Sequence, residues 1–327
     1  MDPEQSSELI DPPVPDSGGP PRMPDRVRRF LGQTLLVALF SLTGAGAALA
    51  APPRLPPLVQ PASQEHLIGK VIFHELVIPD LAAAERFYAG LFGWTFRESR
   101  YDGHAHAAAF LDGRLVAVLF QRTLPARQHR QPGWLTCIAA ENVDATTRSA
   151  LQDGAKVLYE PRTIPDLGRE AVVADPDGAV FAVLASSSGD PPDFMAAPGE
   201  WIWSSLITSD PAADSEFYRK LFGYSVVPLP AGEHGGQHFL LATENYARAS
   251  VNSLPAARPD AHPSWLGFVR VEDAAATAAK ATELGGRVLV APRTDRHGGK
   301  IAVVADPAGA AVGLLEWPAT TGKEATQ

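Results

Sequence analysis

The stretch HELVIPDLAAAERFYAGLFGW, which begins at His74, returns as SSLITSDPAADSEFYRKLFGY from Ser204. A second shared passage follows each copy: EAVVADPDGAVFAVL comes after Arg169, and IAVVADPAGAAVGLL comes after Lys300. The two copies begin 130 residues apart, and this spacing is nearly constant through the second passage. A duplication kept in register over this distance indicates two homologous halves that share one fold.

Each half contains a finer repeat. Asp80 is expected to cap a helix in which Ala84, Phe87, Tyr88 and Leu91 form one apolar face. The same start signal recurs at Asn142, Asp210 and Asp273. A short apolar strand precedes each predicted helix, and β-like segments with turn signals follow it. We therefore predict an α+β fold of four βαβββ modules, paired into two domains.

Composition changes along the chain and suggests the domain boundaries. Residues 1–25 are rich in Pro, Asp, Ser and Gly without apolar periodicity, so they are expected to be disordered. Residues 52–66 form a Pro-rich linker that we expect to be stiff and extended. The predicted domains cover residues 67–188 and 199–318, and residues 319–327 are interpreted as a disordered tail.

Residues 26–51 have the three parts of a secretory signal peptide: an arginine cluster, an apolar run and a small-residue site that ends at Ala50. Cleavage between Ala50 and Ala51 would export the protein to the periplasm or out of the cell. Polar residues and glycines interrupt the apolar run, which makes it a poor permanent membrane span. An uncleaved N-terminal membrane anchor, and a translation start at Met23 rather than Met1, are the alternatives.

The chain has 327 residues, of which 45% are hydrophobic and 20% charged, as in folded globular proteins. Its formal net charge of −9 provides no basic surface for nucleic acid, so we expect a small-molecule partner instead. Self-association into a homo-oligomer stays open. Cys137 is the single cysteine, which excludes an intramolecular disulfide and a Cys-rich metal cluster.

The strand–Asp–helix–Phe-Tyr opening of each half and its D-P-x-G turn before a final strand resemble the vicinal oxygen chelate superfamily. That superfamily includes glyoxalases, extradiol dioxygenases and bleomycin-binding resistance proteins. The resemblance covers about residues 70–317 and is strongest to bacterial tandem glyoxalase-like proteins. It implies that each pair of modules forms a mixed or antiparallel sheet, cupped around a ligand, with helices on the outer face.

The resemblance also implies where metal ligands would lie. Metal-binding members place a His seven residues before the helix-opening Asp, and a Glu seven residues after the first Asp of the D-P turn. Here the corresponding residues are all unable to bind a metal: Phe73, Leu135, Trp203, Leu266, Ala182 and Gly313. The strands at 114–121 and 247–254 offer no His, Asp or Glu either. We therefore expect no metal cofactor.

Strand alternation predicts the side chains that line the cups. If Phe73 faces a cup, so does Glu75, and the same rule adds Cys137. The full set of ligand-pocket candidates is Phe73, Glu75, Trp134, Cys137, Arg169, Trp203, Ser205, Trp265 and Lys300. An apolar lining of this kind is typical of a ligand pocket and equally of an ordinary sheet core.

Two matched pairs among these candidates have alternative interpretations. Trp134 and Trp265 either stack on a ligand or close the end of a barrel. Arg169 and Lys300 either bind a ligand carboxylate or phosphate at the rim or are simply solvated. The first half carries the charged pair Glu75 and Arg169 where the second has Ser205 and Lys300, and any active cup is therefore expected in the first half.

Three functional hypotheses follow, and catalytic residues stay unassigned. The first is an exported protein that binds a small, partly apolar organic ligand without the usual metal site. The second is a metal-dependent lyase, isomerase or dioxygenase with a displaced site built from Glu75, His74 or His106. The third is a non-catalytic interaction or scaffold protein whose cups have filled with side chains.

Overall fold

The computed structural model describes residues 55–101, 103–123, 132–230, 236–244, 246–255, 261–294 and 298–317. The predicted N-terminal extension, signal peptide and C-terminal tail lie outside these ranges. Among the helices in these ranges, none combines the length and the apolar character needed to cross a bilayer.

The first domain consists of two modules that contribute to one eight-stranded sheet. The first module contains β1 (Val71–Ile78), α1 (Leu81–Phe92), β2 (Thr95–Tyr101), β3 (His104–Leu111) and β4 (Arg114–Gln121). The second contains β5 (Gly133–Ala139), α2 (Val143–Gln152), β6 (Lys156–Ile164), β7 (Gly168–Ala174) and β8 (Val180–Ser186). The strand order is β2-β3-β4-β1-β5-β8-β7-β6.

The second domain repeats this plan in a second eight-stranded sheet. Its first module contains β9 (Trp201–Thr208), α3 (Pro211–Phe222), β10 (Ser225–Pro228), β11 (His238–Thr243) and β12 (Tyr246–Ser253). Its second contains β13 (Ser264–Val271), α4 (Ala274–Glu283), β14 (Arg287–Thr294), β15 (Lys300–Ala305) and β16 (Ala311–Glu316). The strand order is β10-β11-β12-β9-β13-β16-β15-β14, equivalent to that of the first domain.

Both sheets are mixed, and each pair of modules joins at its first strands. In the first domain, β1 pairs antiparallel with β5, while β1–β4 and β5–β8 are parallel pairs. In the second domain, β9 pairs antiparallel with β13, while β9–β12 and β13–β16 are parallel. The predicted α+β fold of four βαβββ modules is therefore confirmed.

The helices begin where the sequence predicts. The Asp80 carboxylate accepts a hydrogen bond from the Ala83 amide at 2.9 Å and caps α1. Gly93 ends this helix in the left-handed conformation, with φ of 74°, which glycine adopts without steric cost. The N-caps of the other three helices are Asn142, Asp210 and Asp273.

The helix-bearing faces of the two sheets pack against each other. Phe87 of α1 and Leu76 of β1 share one hydrophobic core with Ala278 of α4 and Val304 of β15. The other two modules form the equivalent core, in which Val183 of the first domain packs with residues of the second. The helices thus lie on the face of each sheet away from its cup, and they contribute to the contact between the domains.

Candidate ligand-binding cups

The cup of the first domain is filled by its own side chains. The sheet face away from the helices carries a continuous apolar cluster in which every member is buried. Its strand residues are Ile72, Phe73, Ala108, Phe110, Val118, Cys137, Ala139, Ile164, Val172, Ala182 and Leu184. Close packing of this kind is what an ordinary protein core shows.

The segment before β1 closes this cup. Leu55 is only 1% exposed and belongs to the same buried cluster as Ile164 and Leu167 of the β6–β7 hairpin. Ser188 anchors the segment, since its hydroxyl accepts from the Val59 amide at 3.1 Å. The described part of the predicted linker, residues 55–66, therefore packs against the first domain. A Pro-rich composition does not reveal this, because the contact depends on two leucines, Leu55 and Leu58, and on backbone hydrogen bonds to a distant segment.

Three ionisable side chains meet inside the filled cup. Potential ligand atoms of Glu75, Cys137 and Glu170 all lie within 4.8 Å of one another. Glu75 and Glu170 are 5% and 1% exposed, and Oε1 of each is buried without a donor from any other described residue. The two carboxyl groups are close enough to share a hydrogen bond. The nearest cation is Arg162, whose Nη2 lies 3.9 Å from Oε2 of Glu170 and whose side chain is 54% exposed.

Burial controls the acid–base state of this cluster. Loss of hydration raises the pKa of Glu75 well above its usual range, and the neighbouring Glu170 charge raises it further. Burial also raises the pKa of Glu170, to about 7. The same effect raises the pKa of the Cys137 thiol, with the two carboxylates adding to it. Burial therefore favours the protonated form of all three groups, and binding of a cation would favour the loss of those protons.

The cup of the second domain is more open. Trp203, Leu240, Leu266 and Val303 line it and are only half-buried, whereas Phe73, the counterpart of Trp203, is 4% exposed. Among the described residues, no side chain from the segment before β9 joins a buried cluster in this cup as Leu55 does in the first. The second cup thus presents an accessible apolar wall.

A row of polar side chains crosses this wall. The Ser250 hydroxyl oxygen accepts from the Trp203 indole N–H at 3.1 Å and from the Asn252 side-chain amide at 3.2 Å. It also lies 2.7 Å from the Ser205 hydroxyl. These groups are held in place by one another, and they provide hydrogen-bonding capacity beside an aromatic ring, the usual composition of a small-molecule site.

Gly313 makes room for an aromatic ring in this cup. A Cβ atom at this position would lie 2.2 Å from Cδ1 of Phe268, whose backbone pairs with Gly313 in the parallel β13–β16 ladder. Phe268 also faces Trp203 across the antiparallel β9–β13 ladder. Gly313 stands where the resemblance places a metal ligand. Because it has no side chain, the Phe268 ring can occupy the floor of the second cup.

The positions at which the resemblance places metal ligands do not fit a metal ion. Phe73 and Ala182 lie in the first cup, and Trp203 and Gly313 lie in the second. None of these four side chains has an atom that can coordinate a metal ion. The expectation that the protein has no metal cofactor is nevertheless not confirmed. It rested on those positions alone, and Glu75, Cys137 and Glu170 form a different set of potential ligands.

Two family models match the chain, one in each domain. Residues 66–183 match the Glyoxalase/Bleomycin resistance protein/Dioxygenase superfamily, and residues 204–315 match a glyoxalase-like domain. The chain belongs to this superfamily. Since each half matches separately, it is a tandem glyoxalase-type protein, as the repeated motifs predict.

Curated relatives match along nearly their whole length. Anthracycline biosynthesis protein DnrV of Streptomyces peucetius is 31% identical over 270 residues, which cover 78% of this chain and 97% of the relative. DauV of Streptomyces sp. (strain C5), with the same description, is 31% identical over 76% of this chain and 93% of the relative. Putative glyoxylase CFP32 of Mycobacterium tuberculosis is 29% identical over 78% of this chain and 98% of the relative.

Solved structures of the superfamily share the fold. A Mn(II)-bound glyoxalase from Novosphingobium aromaticivorans has a TM-score of 0.54 and 18% identity, covering 77% of this chain and 84% of that one. The 2,2',3-trihydroxybiphenyl 1,2-dioxygenase from Sphingomonas wittichii strain RW1 has a TM-score of 0.53 and 16% identity, covering 76% and 90%. At these identities the likeness shows a common architecture.

In this tandem glyoxalase-type chain, the matched tryptophans lie away from the cups. Trp134 is buried in the contact between the domains, where its indole N–H donates to the Tyr88 hydroxyl at 3.0 Å. Trp265 makes the equivalent bond to Tyr218 at 2.8 Å. Neither tryptophan is therefore placed to stack on a ligand in a cup. Both have a structural role at the contact between the domains.

The matched cations also lie on the helix-bearing side. Arg169 forms a bidentate ion pair with Asp144 in the first turn of α2, with Nη2 at 2.7 Å from Oδ1. Lys300 pairs with Glu316 at 2.8 Å. This placement corrects the expected rim position, because side chains alternate along a strand and the next residue, Glu170, is the one that faces the cup.

The two histidines considered as ligands lie on opposite faces of the first sheet. His74 stacks on Trp201 at the domain contact, with ring centroids 3.9 Å apart, and burial lowers its pKa to about 3. His106 faces the first cup beside Phe120 and is 1% exposed. Neither belongs to the cluster with Glu75, whereas Glu170, which the sequence analysis overlooked, does.

Proposed function

We propose that this tandem glyoxalase-type protein binds a small, flat, partly apolar organic molecule in its second cup. The half-buried wall around Trp203, crossed by the polar row at Ser250, is the observation that supports this assignment. An exposed aromatic surface gains free energy when a ligand covers it, about 25 cal/mol per Å² of apolar area. The adjacent hydroxyls add directional contacts that fix the ligand's orientation.

Packing favours the second cup over the first. The sequence alone favoured the first half because of its charged residues, yet Leu55, Ile164 and Leu167 fill that cup. A ligand there would have to displace buried leucines, each of which stabilises the protein by about 2–5 kcal/mol. In the second cup, a ligand covers side chains that are already accessible to water.

The chemistry of the wall indicates the ligand class. An indole and a phenyl ring favour a planar aromatic skeleton, which stacks or meets them edge-on. Ser205, Ser250 and Asn252 can donate to or accept from hydroxyl and carbonyl oxygens on that skeleton. Hydroxylated quinones have both features. Two relatives are described as anthracycline biosynthesis proteins, and an anthracycline is therefore a suitable first probe.

Isothermal titration calorimetry of the full chain with daunorubicin and with a hydroxylated naphthoquinone tests the proposal. We expect saturable binding of at least one probe at one molecule per chain. Ser250→Ala removes the acceptor shared by Trp203 and Asn252, and should weaken binding about 5- to 100-fold, the range for a lost buried hydrogen-bonding group. Ser225→Ala, an exposed serine of the same domain, is the matched control and should leave affinity unchanged.

Two results would contradict the proposal. Absence of binding by both probes would favour the scaffold interpretation, in which neither cup takes a ligand. Equal affinities of the Ser250→Ala and Ser225→Ala variants would place the binding site elsewhere, even if the probes bind. Trp203→Phe provides a second check, because it keeps an aromatic ring and loses the indole N–H that donates to Ser250. It should weaken binding of the probes if this wall forms the site.

We also propose that the protein is exported. The support is the sequence of residues 26–51, with its arginines, apolar run and small-residue site. Expression in a bacterial host followed by mass spectrometry of the periplasmic fraction should reveal a chain that begins at Ala51. An intact N-terminus in the membrane fraction would support the anchor alternative, and an intact chain in the cytosol would contradict export.

A further inference from the structure

We propose that Glu75, Cys137 and Glu170 bind one thiophilic divalent cation of the zinc class inside the first cup. The proposal concerns a different cup from the one assigned to the organic ligand, and either can fail without the other. Its chemical basis is the donor set: two carboxylates and a thiol are ligands that zinc and cobalt accept.

The spacing of the three side chains is close to that of a coordination sphere. Their potential ligand atoms lie within 4.8 Å of one another. Around a tetrahedral zinc ion with the usual bond lengths, oxygen and sulfur ligands are separated by about 3.4–3.6 Å. The side chains would therefore have to close by no more than about 1.4 Å, which rotation of the two glutamates about their χ angles can supply.

Two buried carboxyl oxygens that receive no hydrogen bond from outside their own pair point to a ligand at this position. Oε1 of Glu75 and Oε1 of Glu170 are both buried without a donor from any other described residue, and the two carboxyl groups are left to share a hydrogen bond with each other. An unsatisfied buried polar atom costs about 1–3 kcal/mol, and more if the group is charged. The half-exposed Arg162, at 3.9 Å from Glu170, touches neither of these atoms. A cation between the carboxylates would replace the proton that they can share, and it would bind the Cys137 sulfur, whose S–H otherwise donates to the Leu135 carbonyl at 3.9 Å.

The fold positions these ligands on three different strands. Glu75 lies on β1, Cys137 on the adjacent β5, and Glu170 on β7, two strands further along the sheet. The curl of the sheet brings β7 over β1. Because none of the three occupies a position where the superfamily resemblance places a ligand, this site would be a separate one within the same cup.

Metal content after refolding tests the proposal directly. The full chain, prepared without a polyhistidine tag, is unfolded and refolded with Zn²⁺ or with Co²⁺, then desalted and analysed for metals. We expect one ion per chain and, with cobalt, a thiolate-to-metal charge-transfer absorption. Refolding is needed because Leu55 closes the cup, so an ion would exchange slowly with the folded protein.

Matched variants assign the ligands. Cys137→Ser should abolish the charge-transfer band, and Glu170→Gln, which keeps the side-chain shape, should lower bound cobalt at least tenfold. Glu316→Gln is the control variant, because Glu316 lies in the second domain, where it pairs with Lys300. This variant should bind as much cobalt as the parent chain. Circular dichroism of each variant shows whether it has folded.

The parent chain alone also decides the matter. If it retains neither zinc nor cobalt after refolding, the proposal is wrong whatever the variants do. It is equally wrong if a folded Glu170→Gln variant retains the ion with an unchanged cobalt spectrum. A gain in melting temperature on zinc refolding, absent in Glu170→Gln and present in Glu316→Gln, would independently support a site that binds the native state.

Discussion

The Tyr88 hydroxyl of the first domain donates a hydrogen bond to the Asp306 carboxylate of the second domain, at 3.1 Å. Asp306 opens the last D-P-x-G turn, where its other oxygen accepts from the Ala310 amide at 2.9 Å. The tyrosine also accepts from Trp134. One phenol thus links a helix, a strand and a turn across the domain contact, which explains why these motifs recur together.

The duplication produces the same relationship in the opposite direction. Tyr218 of the second domain donates to Asp175 of the first at 3.0 Å, and it accepts from Trp265. Each domain therefore contributes a tyrosine and an aspartate to the contact. The Phe-Tyr and Asp-Pro motifs that define the repeat are residues of the interface between the domains.

Removal of either hydroxyl should destabilise the protein. Tyr88→Phe and Tyr218→Phe each leave a buried carboxylate oxygen without its donor and a buried indole N–H without its acceptor. We expect each to lower the free energy of unfolding by about 1–3 kcal/mol, the usual cost of an unsatisfied buried group. Urea denaturation measures this loss, with Tyr159→Phe as control, since Tyr159 is 52% exposed. Equal stability of all three variants would contradict the role of the hydroxyls.

A second contact between the domains depends on a proton. The Thr208 hydroxyl lies 2.5 Å from the Asp177 carboxylate and also contacts Asp214 in the first turn of α3. One hydroxyl proton can serve only one carboxylate. Both contacts are satisfied if Asp214 is protonated and donates to Thr208, which in turn donates to Asp177. Burial, with the charges of nearby acids, raises the pKa of Asp214 to about 6, in agreement with this arrangement.

This arrangement predicts a pH effect with a definite sign. The folded-state pKa of Asp214 lies above its unfolded value of about 3.9, so its contribution to stability is full below pH 4 and lost as pH rises through 6. Asp214→Asn imitates the protonated form. The free energy of unfolding of the variant, relative to that of the parent chain, should increase by about 1–2 kcal/mol between pH 4 and pH 8, after allowance for solvent screening.

Urea denaturation at several pH values checks this difference. Titrating groups distant from Asp214 contribute equally to both proteins and cancel, so the difference reports Asp214 and the acids coupled to it. Glu283→Gln, at a side chain that is 70% exposed, provides the baseline, because its stability difference from the parent chain should not vary with pH. A flat profile for Asp214→Asn would show that the carboxyl titrates alike in the folded and unfolded states.

Local signals in the sequence were sufficient to predict the modules. Asp80 and Gly93 mark the two ends of α1, and their counterparts mark the start of every other helix, because capping depends on neighbouring residues alone. The cup-facing positions of Phe73, Glu75 and Cys137 follow from strand alternation in the same way. These predictions needed only the two-residue alternation of side chains along a strand and the capping residues that mark the ends of helices.

Contacts between distant strands could not be predicted in this way. Alternation along β7 shows that Arg169 and Glu170 lie on opposite faces, but without the register of β7 it cannot say which of the two faces a cup. Trp134 was a cup candidate only because it matches Trp265, although alternation from Cys137 already places it on the opposite face of β5. Leu55 was overlooked because its burial depends on a tertiary contact, and Pro-rich composition gives no sign of it.

Packing of the Leu55 side chain into the first cup should contribute strongly to the stability of the first domain. Leu55→Ala would leave a void in a fully buried cluster, and we expect a loss of about 2–4 kcal/mol in the free energy of unfolding. Leu151→Ala, at a leucine that is 48% exposed on α2, should cost less than about 0.5 kcal/mol. If both variants have the parent stability in urea denaturation, the segment does not close the cup in solution.

The floor of the second cup offers a test that separates packing from ligand binding. Gly313→Ala places a methyl group against the Phe268 ring and should destabilise the protein by about 1–3 kcal/mol through overpacking. In a Phe268→Ala background the ring is gone, so the same substitution should be nearly neutral. A double-mutant cycle by urea denaturation measures the coupling between the two residues, and additive effects would contradict the close contact. Because the displaced ring would project into the cup, Gly313→Ala alone should also weaken binding of the organic probe, whereas Leu151→Ala should not.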